Sequence, residues 1–198
     1  NDVIALSFEP TYQEISLPSG WSMFSTFMIP DEPAFGNLLI DIVEDVIIAK
    51  DYLGAAYLPE FNFDGIGDLT LGRGYQIKML NSTDLIVAGD YIRPSDNPIL
   101  LPGGWYIVAY YRTELAAVDA VFSDIVEDVL IVKDYSGNAY LPEFNFNGIG
   151  QMRPGQGYHV KTSLPSTLQY LSNNSSYRSF IETTINEINL FIFPPYLE

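Results

Sequence analysis

Residues 41–67 read DIVEDVIIAKDYLGAAYLPEFNFDGIG, and residues 124–150 read DIVEDVLIVKDYSGNAYLPEFNFNGIG, identical at 22 of 27 positions. The likeness extends outward on both sides. Residues 15–21, ISLPSGW, correspond to 99–105, ILLPGGW, and residues 72–78, GRGYQIK, correspond to 155–161, GQGYHVK. The repeat length is about 83 residues, the length of a small domain rather than of a solenoid unit. Nothing constrains the fold of this chain more. Whatever the first copy builds, the second must also build, and two copies use nearly all of the 198 residues. Each copy alone is small enough that burial is marginal, so the two are expected to pack on each other with pseudo-twofold symmetry.

Along one copy the hydrophobic pattern changes period. Residues 15–17 alternate toward Pro18, and a Ser-Gly turn leads into a β-prone run at Trp21, with its counterpart at Trp105. Then apolar residues recur at steps of three and four: Phe35, Leu38, Leu39, Ile42, Val43 and Val46 in copy one, and Leu115, Val118, Val121, Phe122, Ile125, Val126 and Val129 in copy two. This spacing predicts one amphipathic helix per copy, opened by Asp31 or Glu32 before Pro33 and by Thr113 as N-cap. The short apolar runs 46–50 and 129–133 predict buried strands. Tight turns at Asp51–Gly54 and Asp134–Gly137 return the chain into a second strand. Residues 74–78 and 84–88 predict a last strand pair. The fold class expected is α+β, mainly β: two tandem copies of a small mixed, barrel-like sheet, each with one helix. In the mixed sheet the first strand and the strand after the helix run parallel through a right-handed crossover. Residues 1–14 read as an N-terminal strand or linker, 15–98 as module one and 99–179 as module two. Residues 180–198 read as a closing strand or the start of a truncated third repeat, because 185–190 (INEINL) resembles 12–17 (YQEISL). Such a strand offers a route to self-association through an unpaired edge.

Charge and composition narrow the function. Twenty-five acidic against nine basic residues give a net charge of -16, which repels nucleic-acid phosphates and anionic lipid. No cysteine is present, so disulfides, thiol catalysis and thiolate metal sites are excluded. No apolar run reaches the roughly 18 residues of a membrane span. The chain starts at Asn1, as a processed or excised segment would. Catalysis has little material: the one histidine, His159, stands where copy one has Gln76, in a strand pattern that reads as structural. Neither a P-loop nor a dinucleotide fingerprint occurs.

Two binding chemistries remain. Glu60, Asn62 and Asp64 place oxygen-bearing side chains at every second position before Gly65, like the first half of a calcium loop. Copy two carries Asn147 in place of Asp64, and the competing reading is a loop whose phenylalanines pack inward. Calcium is accordingly the one cofactor candidate, and no other is expected. The second chemistry is sugar stacking on planar rings. Tyr52 and Tyr135, with the neighbouring Asp51 and Asp134 to bond hydroxyls, sit in turns and are the candidates. Trp21, Trp105, Tyr75 and Tyr158 read instead as core.

The pattern Leu-Pro-x-Gly-Trp, then Ile-Val-Lys-Asp-Tyr-x-Gly-x-Ala-Tyr-Leu-Pro-Glu-Phe-Asn-Phe-x-Gly-Ile-Gly, then Pro-Gly-Gln-Gly-Tyr-x-Val-Lys resembles a tandem repeat of large secreted or surface proteins of marine Bacteroidota and of marine phage virion proteins. Copy two carries it at 101–105, 131–150 and 154–161; copy one departs with Ala49 for valine and Leu71-Gly72-Arg73 for Pro-Gly-Gln. The resemblance implies an extracellular or cell-surface, non-catalytic module. The function expected is binding or adhesion, to a glycan or a protein partner. The alternatives are a structural subunit of a virion or filament assembling through edge strands, and a polysaccharide-active enzyme.

Overall fold

Tyr75, Ile77 and Met79 alternate with Gln76 and Lys78, and in the computed structural model this five-residue alternation becomes an interior strand of a sheet, paired on both sides. The structure describes residues 9–173. Copy one supplies strands β1 (Tyr12–Leu17), β2 (Gly20–Phe24), β3 (Met28–Pro30), β4 (Val46–Lys50), β5 (Ala56–Leu58), β6 (Phe63–Asp64), β7 (Tyr75–Met79) and β8 (Thr83–Tyr91). Copy two supplies β9 (Ile99–Leu101), β10 (Gly104–Val108), β11 (Ala116–Ala117), β12 (Val129–Lys133), β13 (Ala139–Leu141), β14 (Phe146–Asn147), β15 (Gln151–Met152), β16 (Tyr158–Thr162) and β17 (Ser166–Leu168). The protein is mainly β, in several antiparallel sheets with short helices between them.

One five-stranded sheet has the order β2-β7-β4-β5-β6, and the other has β10-β16-β12-β13-β14. The registers correspond pair by pair. Trp21 faces Lys78 as Trp105 faces Lys161, and both sheets carry a bulge at the start of the strand after the helix. A second strand set also corresponds, β1 with β8 and β9 with β17.

Two expectations about pairing are corrected. No mixed sheet is present among the described residues, because every registered pair is antiparallel. The strands before and after the helix do run in the same direction, but β7 (or β16) lies between them and bonds both. The strands expected as a final pair, β7 and β8, also belong to different sheets, with β7 on β2 and β8 on β1. Local turn signals suggested neighbours, while the long-range pairing sets β7 between β2 and β4, with Tyr75, Ile77 and Met79 buried beneath it.

The helix is corrected as well. Each apolar stripe gives one α-turn, α1 (Phe35–Leu38) and α2 (Val118–Val121), followed by 3-10 turns. The β-branched run that follows favours extended backbone, and Gly36 weakens the first turn. Neither Asp31, Glu32 nor Thr113 caps. The Phe35 N–H donates to Gly67 O at 2.8 Å and the Val118 N–H to Gly150 O at 3.0 Å, while the Thr113 N–H donates to Asn173 Oδ1. The stripe still buries Phe35, Leu39, Val118 and Phe122 completely.

One hydrophobic core runs through both copies. Where they meet, backbone bonds cross in matched pairs. Ser25 N–H donates to Gly155 O (2.9 Å) and its counterpart Ala109 N–H to Gly72 O (3.0 Å). Gly157 N–H donates to Met23 O (3.2 Å) and Gly74 N–H to Ile107 O (2.8 Å). Gly74 and Gly157 stand at the crossing. A Cβ on Gly74 would lie 2.7 Å from Ile107 Cγ2 and 3.1 Å from the Gly157 Cα; one on Gly157 would lie 2.8 Å from Phe24 O. The last β-strand proposed for 180–198 lies outside the described residues.

Gly157→Ala should destabilise by roughly 1–3 kcal/mol, the cost of overpacking a close contact. Gly36→Ala, whose Cβ would meet nothing nearer than 3.5 Å, should be neutral or mildly stabilising. Urea denaturation of the two variants checks the contrast.

Candidate functional site

In an antiparallel sheet, residues directly opposite share a face. Trp21 faces Lys78, Lys78 also faces Ile48, and Lys50 faces Gln76 and Ala56. Tyr75, Ile77 and Met79 fill the inner face, so this row points outward. Leu58, two residues beyond Ala56, continues it to Phe63. The second sheet repeats the row with Trp105, Lys161, Ile131, Lys133 and Phe146.

The sequence reading that placed both tryptophans in the core is therefore corrected. Trp21 is 47% exposed and Trp105 44%. The inward-packing phenylalanines are corrected too: Phe61 is 71% exposed and Phe144 70%, with Phe63 and Phe146 about half exposed. Alternation hid the tryptophans. Ser22, Met23 and Phe24 after Trp21 are all buried, because the crossing of the two copies covers both sides of that strand.

Each indole holds two ammonium groups. Lys50 Nζ lies 5.6 Å and Lys78 Nζ 5.9 Å from the Trp21 ring centre; Lys133 and Lys161 lie 5.6 and 5.7 Å from that of Trp105. These four are all the lysines of the chain, and the two indoles are all its tryptophans. Among the described residues the ion pairs formed are those of arginines. A chain with 25 acidic residues thus holds its lysines on rings, each cation–π contact worth ~0.5–1 kcal/mol when exposed.

The two outward faces join at their edge. The Gln76 amide donates to His159 Nε2 at 3.2 Å, and the His159 ring stands edge-on to Trp105, 5.9 Å between centres. Accepting at Nε2 suits the neutral imidazole. Burial, reinforced by Lys133, lowers the His159 pKa. The core tyrosines shift the other way. Burial pushes Tyr75 and Tyr158 up, and their hydroxyls accept the Thr70 and Arg153 N–H groups, consistent with structural roles.

The residues singled out from sequence fall in three places. Asp51 and Asp134 close their turns. Asp51 Oδ1 accepts from the Leu53 and Ala55 N–H groups, and Asp134 Oδ1 from the Asn138 N–H. Gly54 and Gly137 supply the positive φ (92° and 91°). Both carboxylates are thereby engaged, and Asp51 is buried beside Arg73. Tyr52 is not a free turn residue. Its ring lies 4.5 Å from that of Tyr106, across the junction of the copies, with Arg73 over it. Tyr135 is 45% exposed and borders an open groove of about 320 Å³ with Ser22, Glu14, Arg153 and Gln156. Ser22 stands where the other half has Tyr106, so the ring that packs on Tyr52 has no counterpart against Tyr135.

The calcium candidates follow one another along the 3-10 turn that leads into β6. Asp64 Oδ1 accepts from the Ile66 and Gly67 N–H groups, and Asn62 takes a left-handed conformation that ends a 3-10 turn. Glu60 is exposed on that turn. Among the described residues no group of three or more His, Asp or Glu side chains could hold a metal ion. At the end of the acidic run 41–45, Asp45 accepts from Asn81, and its counterpart Asp128 accepts from Ser166. No described helix is long and apolar enough to cross a membrane. No family model, curated protein or solved structure matches the chain.

Two outcomes check this site. Iodide should quench the tryptophan fluorescence more strongly than caesium despite the net charge of -16, and Lys→Gln at 50, 78, 133 and 161 should abolish that preference. A histidine whose folded pKa lies below its unfolded value of 6.5 contributes stability above that pH and loses it as pH falls through the folded pKa. His159→Gln, which restores the residue of copy one, should therefore lose less stability than the parent between pH 7 and pH 5 in chemical denaturation.

Proposed function

We propose that this chain is a non-catalytic binding or adhesion module of a secreted or cell-surface protein, and that its ligand is a glycan. One observation carries this reading: a half-exposed indole occupies the same register position on the outward face of both five-stranded sheets. A planar ring on an open sheet face suits the apolar face of a sugar, and nearby polar groups suit its hydroxyls. The matched strand orders and reciprocal crossing bonds support the reading of the chain as two tandem modules related by pseudo-twofold symmetry. That symmetry would present two equivalent platforms side by side. Tyr135 and its groove offer an auxiliary contact in the second module. His159, engaged by Gln76 and Trp105, reads as part of the surface rather than as a proton-transfer group.

A second reading has its own support. Phe61, Phe63, Phe144 and Phe146 are exposed at the outer edges of the two sheets, as a protein partner or a virion or filament neighbour would require. Single unsupported edges of two residues, β6 and β14, lie beside them.

Calorimetry and affinity electrophoresis against neutral and acidic polysaccharides should show saturable binding. Trp21→Ala with Trp105→Ala should weaken it at least tenfold, about 1.4 kcal/mol, with little change in Tm. Tyr135→Ala should weaken it less. Binding to no polysaccharide, with concentration-dependent assembly lost in a Phe61/Phe144→Ser double variant, would select the second reading instead.

A further inference from the structure

Resting on the glycan reading, we propose that the outward face is a two-site receptor for an anionic polysaccharide, a linear glycan bearing sulfate or carboxylate groups. Trp21, Lys50 and Lys78 form one subsite, and Trp105, Lys133 and Lys161 form the other.

Three observations point to a negative ligand. The first is the segregation of charge. All four lysines of a chain with net charge -16 stand on this face. The positions that share it in the strand register, Trp21, Gln76, Ile48, Ala56 and Leu58 with Phe63 and their counterparts, carry no carboxylate. The second is the absence of protein partners for these cations among the described residues, where the ion pairs belong to Arg73, Arg93 and Arg112. A carboxylate from the protein's own acidic surface would be the ordinary neighbour of a lysine; here rings take that place and leave the charge available. The third is duplication. Both subsites keep the same two lysines on the same indole, within 0.3 Å in ring distance.

The chemistry favours a glycan over other polyanions. Lysine is a compact point charge on a flexible stem and follows a sulfate or carboxylate whose position varies from sugar to sugar; the planar fork of arginine, suited to fixed bidentate pairing with phosphate, is not used on this face. Nucleic acid carries one charge per ~1.7 Å of duplex axis. Two lysines per subsite inside an acidic protein cannot offset that density, whereas a polysaccharide with a charge on each sugar or alternate sugars matches it. The indole then takes the apolar face of the ring between the charged groups.

Spacing makes the two subsites one receptor. From Trp105 the surface passes to His159 (5.9 Å), to Gln76 (3.2 Å), along two residues of β7 to Lys78, and to Trp21 (5.9 Å). With a strand rise of about 3.4 Å per residue and the extended side chains of Gln76 and Lys78 included, the two indoles lie no more than about 35 Å apart along this path. A single oligosaccharide chain can span that distance, and its second contact is then intramolecular, raising avidity by ~10²–10⁴ over one subsite.

The test compares dextran sulfate and polygalacturonate with unmodified dextran, by calorimetry and by tryptophan fluorescence on the full chain. The expected result is tight binding of one or both anionic polymers. It should fall at least tenfold between 50 and 300 mM NaCl, and at least tenfold again in Lys50→Gln/Lys78→Gln or in Lys133→Gln/Lys161→Gln. Preference between the two polymers distinguishes sulfate from carboxylate. Short fragments should bind far more weakly than long ones and lose little when a single subsite is removed. Equal binding of dextran and dextran sulfate, dependent on the tryptophans and indifferent to the lysines, would overturn the anionic ligand while leaving the glycan reading intact. Anionic binding unchanged by Trp21→Ala/Trp105→Ala would mark mere ion exchange and overturn the proposal, as would tighter binding of polyglutamate than of either polysaccharide. No binding of any glycan would remove both readings.

Discussion

The close approach of Gly74 and Gly157 is the contact on which the rest of this structure depends. Around it four backbone bonds cross between the copies in two matched pairs, and the strand bearing each tryptophan ends there. No side chain fits between the two backbones. The absence of a Cβ at these positions is therefore what lets β2 and β7 of one sheet meet β10 and β16 of the other. The crossing buries Met23 and Phe24, together with Ile107 and Val108, and merges two marginal cores into one.

The same contact sets the surface. Because Gln76 and His159 flank the crossing on the outward side, the two sheet faces continue into each other instead of turning apart. Each face is built by register alone. Once Trp21 lies opposite Lys78, alternation sends both outward and sends Ile77 and Tyr75 into the core. A slip of one residue would bury the lysines and expose the core ring of Tyr75. Packing energy and surface chemistry are thus specified by the same pairing, which explains how two copies that differ at five of 27 core positions keep the same cation–ring arrangement.

The halves are alike without being interchangeable. Tyr106 packs on Tyr52, while Ser22 leaves Tyr135 over an open groove. His159 replaces Gln76, so that one titratable ring faces one amide across the junction. These differences gather at the junction and its margin, where the two copies meet unlike surroundings, while in both turns the Asp carboxylate still accepts the backbone N–H four residues on.

The sequence by itself determined the β-rich class, the Asp–Gly turns and the core placement of Tyr75 and Tyr158, because each is a local property of a few adjacent residues, and it displayed the repeat of 41–67 at 124–150 directly. It also showed apolar stripes at Phe35 and Val118, but could not show that each would give one α-turn and then tighten into 3-10 turns. Pairing was beyond it. β2 on β7 and β1 on β8 join residues more than fifty positions apart, and nothing local distinguishes that arrangement from two neighbouring hairpins. The candidate site was hidden for the same reason. A tryptophan followed by three buried residues reads as core, and lysines scattered at 50, 78, 133 and 161 read as ordinary surface. Only the long-range register, which sets Trp21 against Lys78 and brings Lys50 in from the next strand, gathers them in pairs, one pair on each indole.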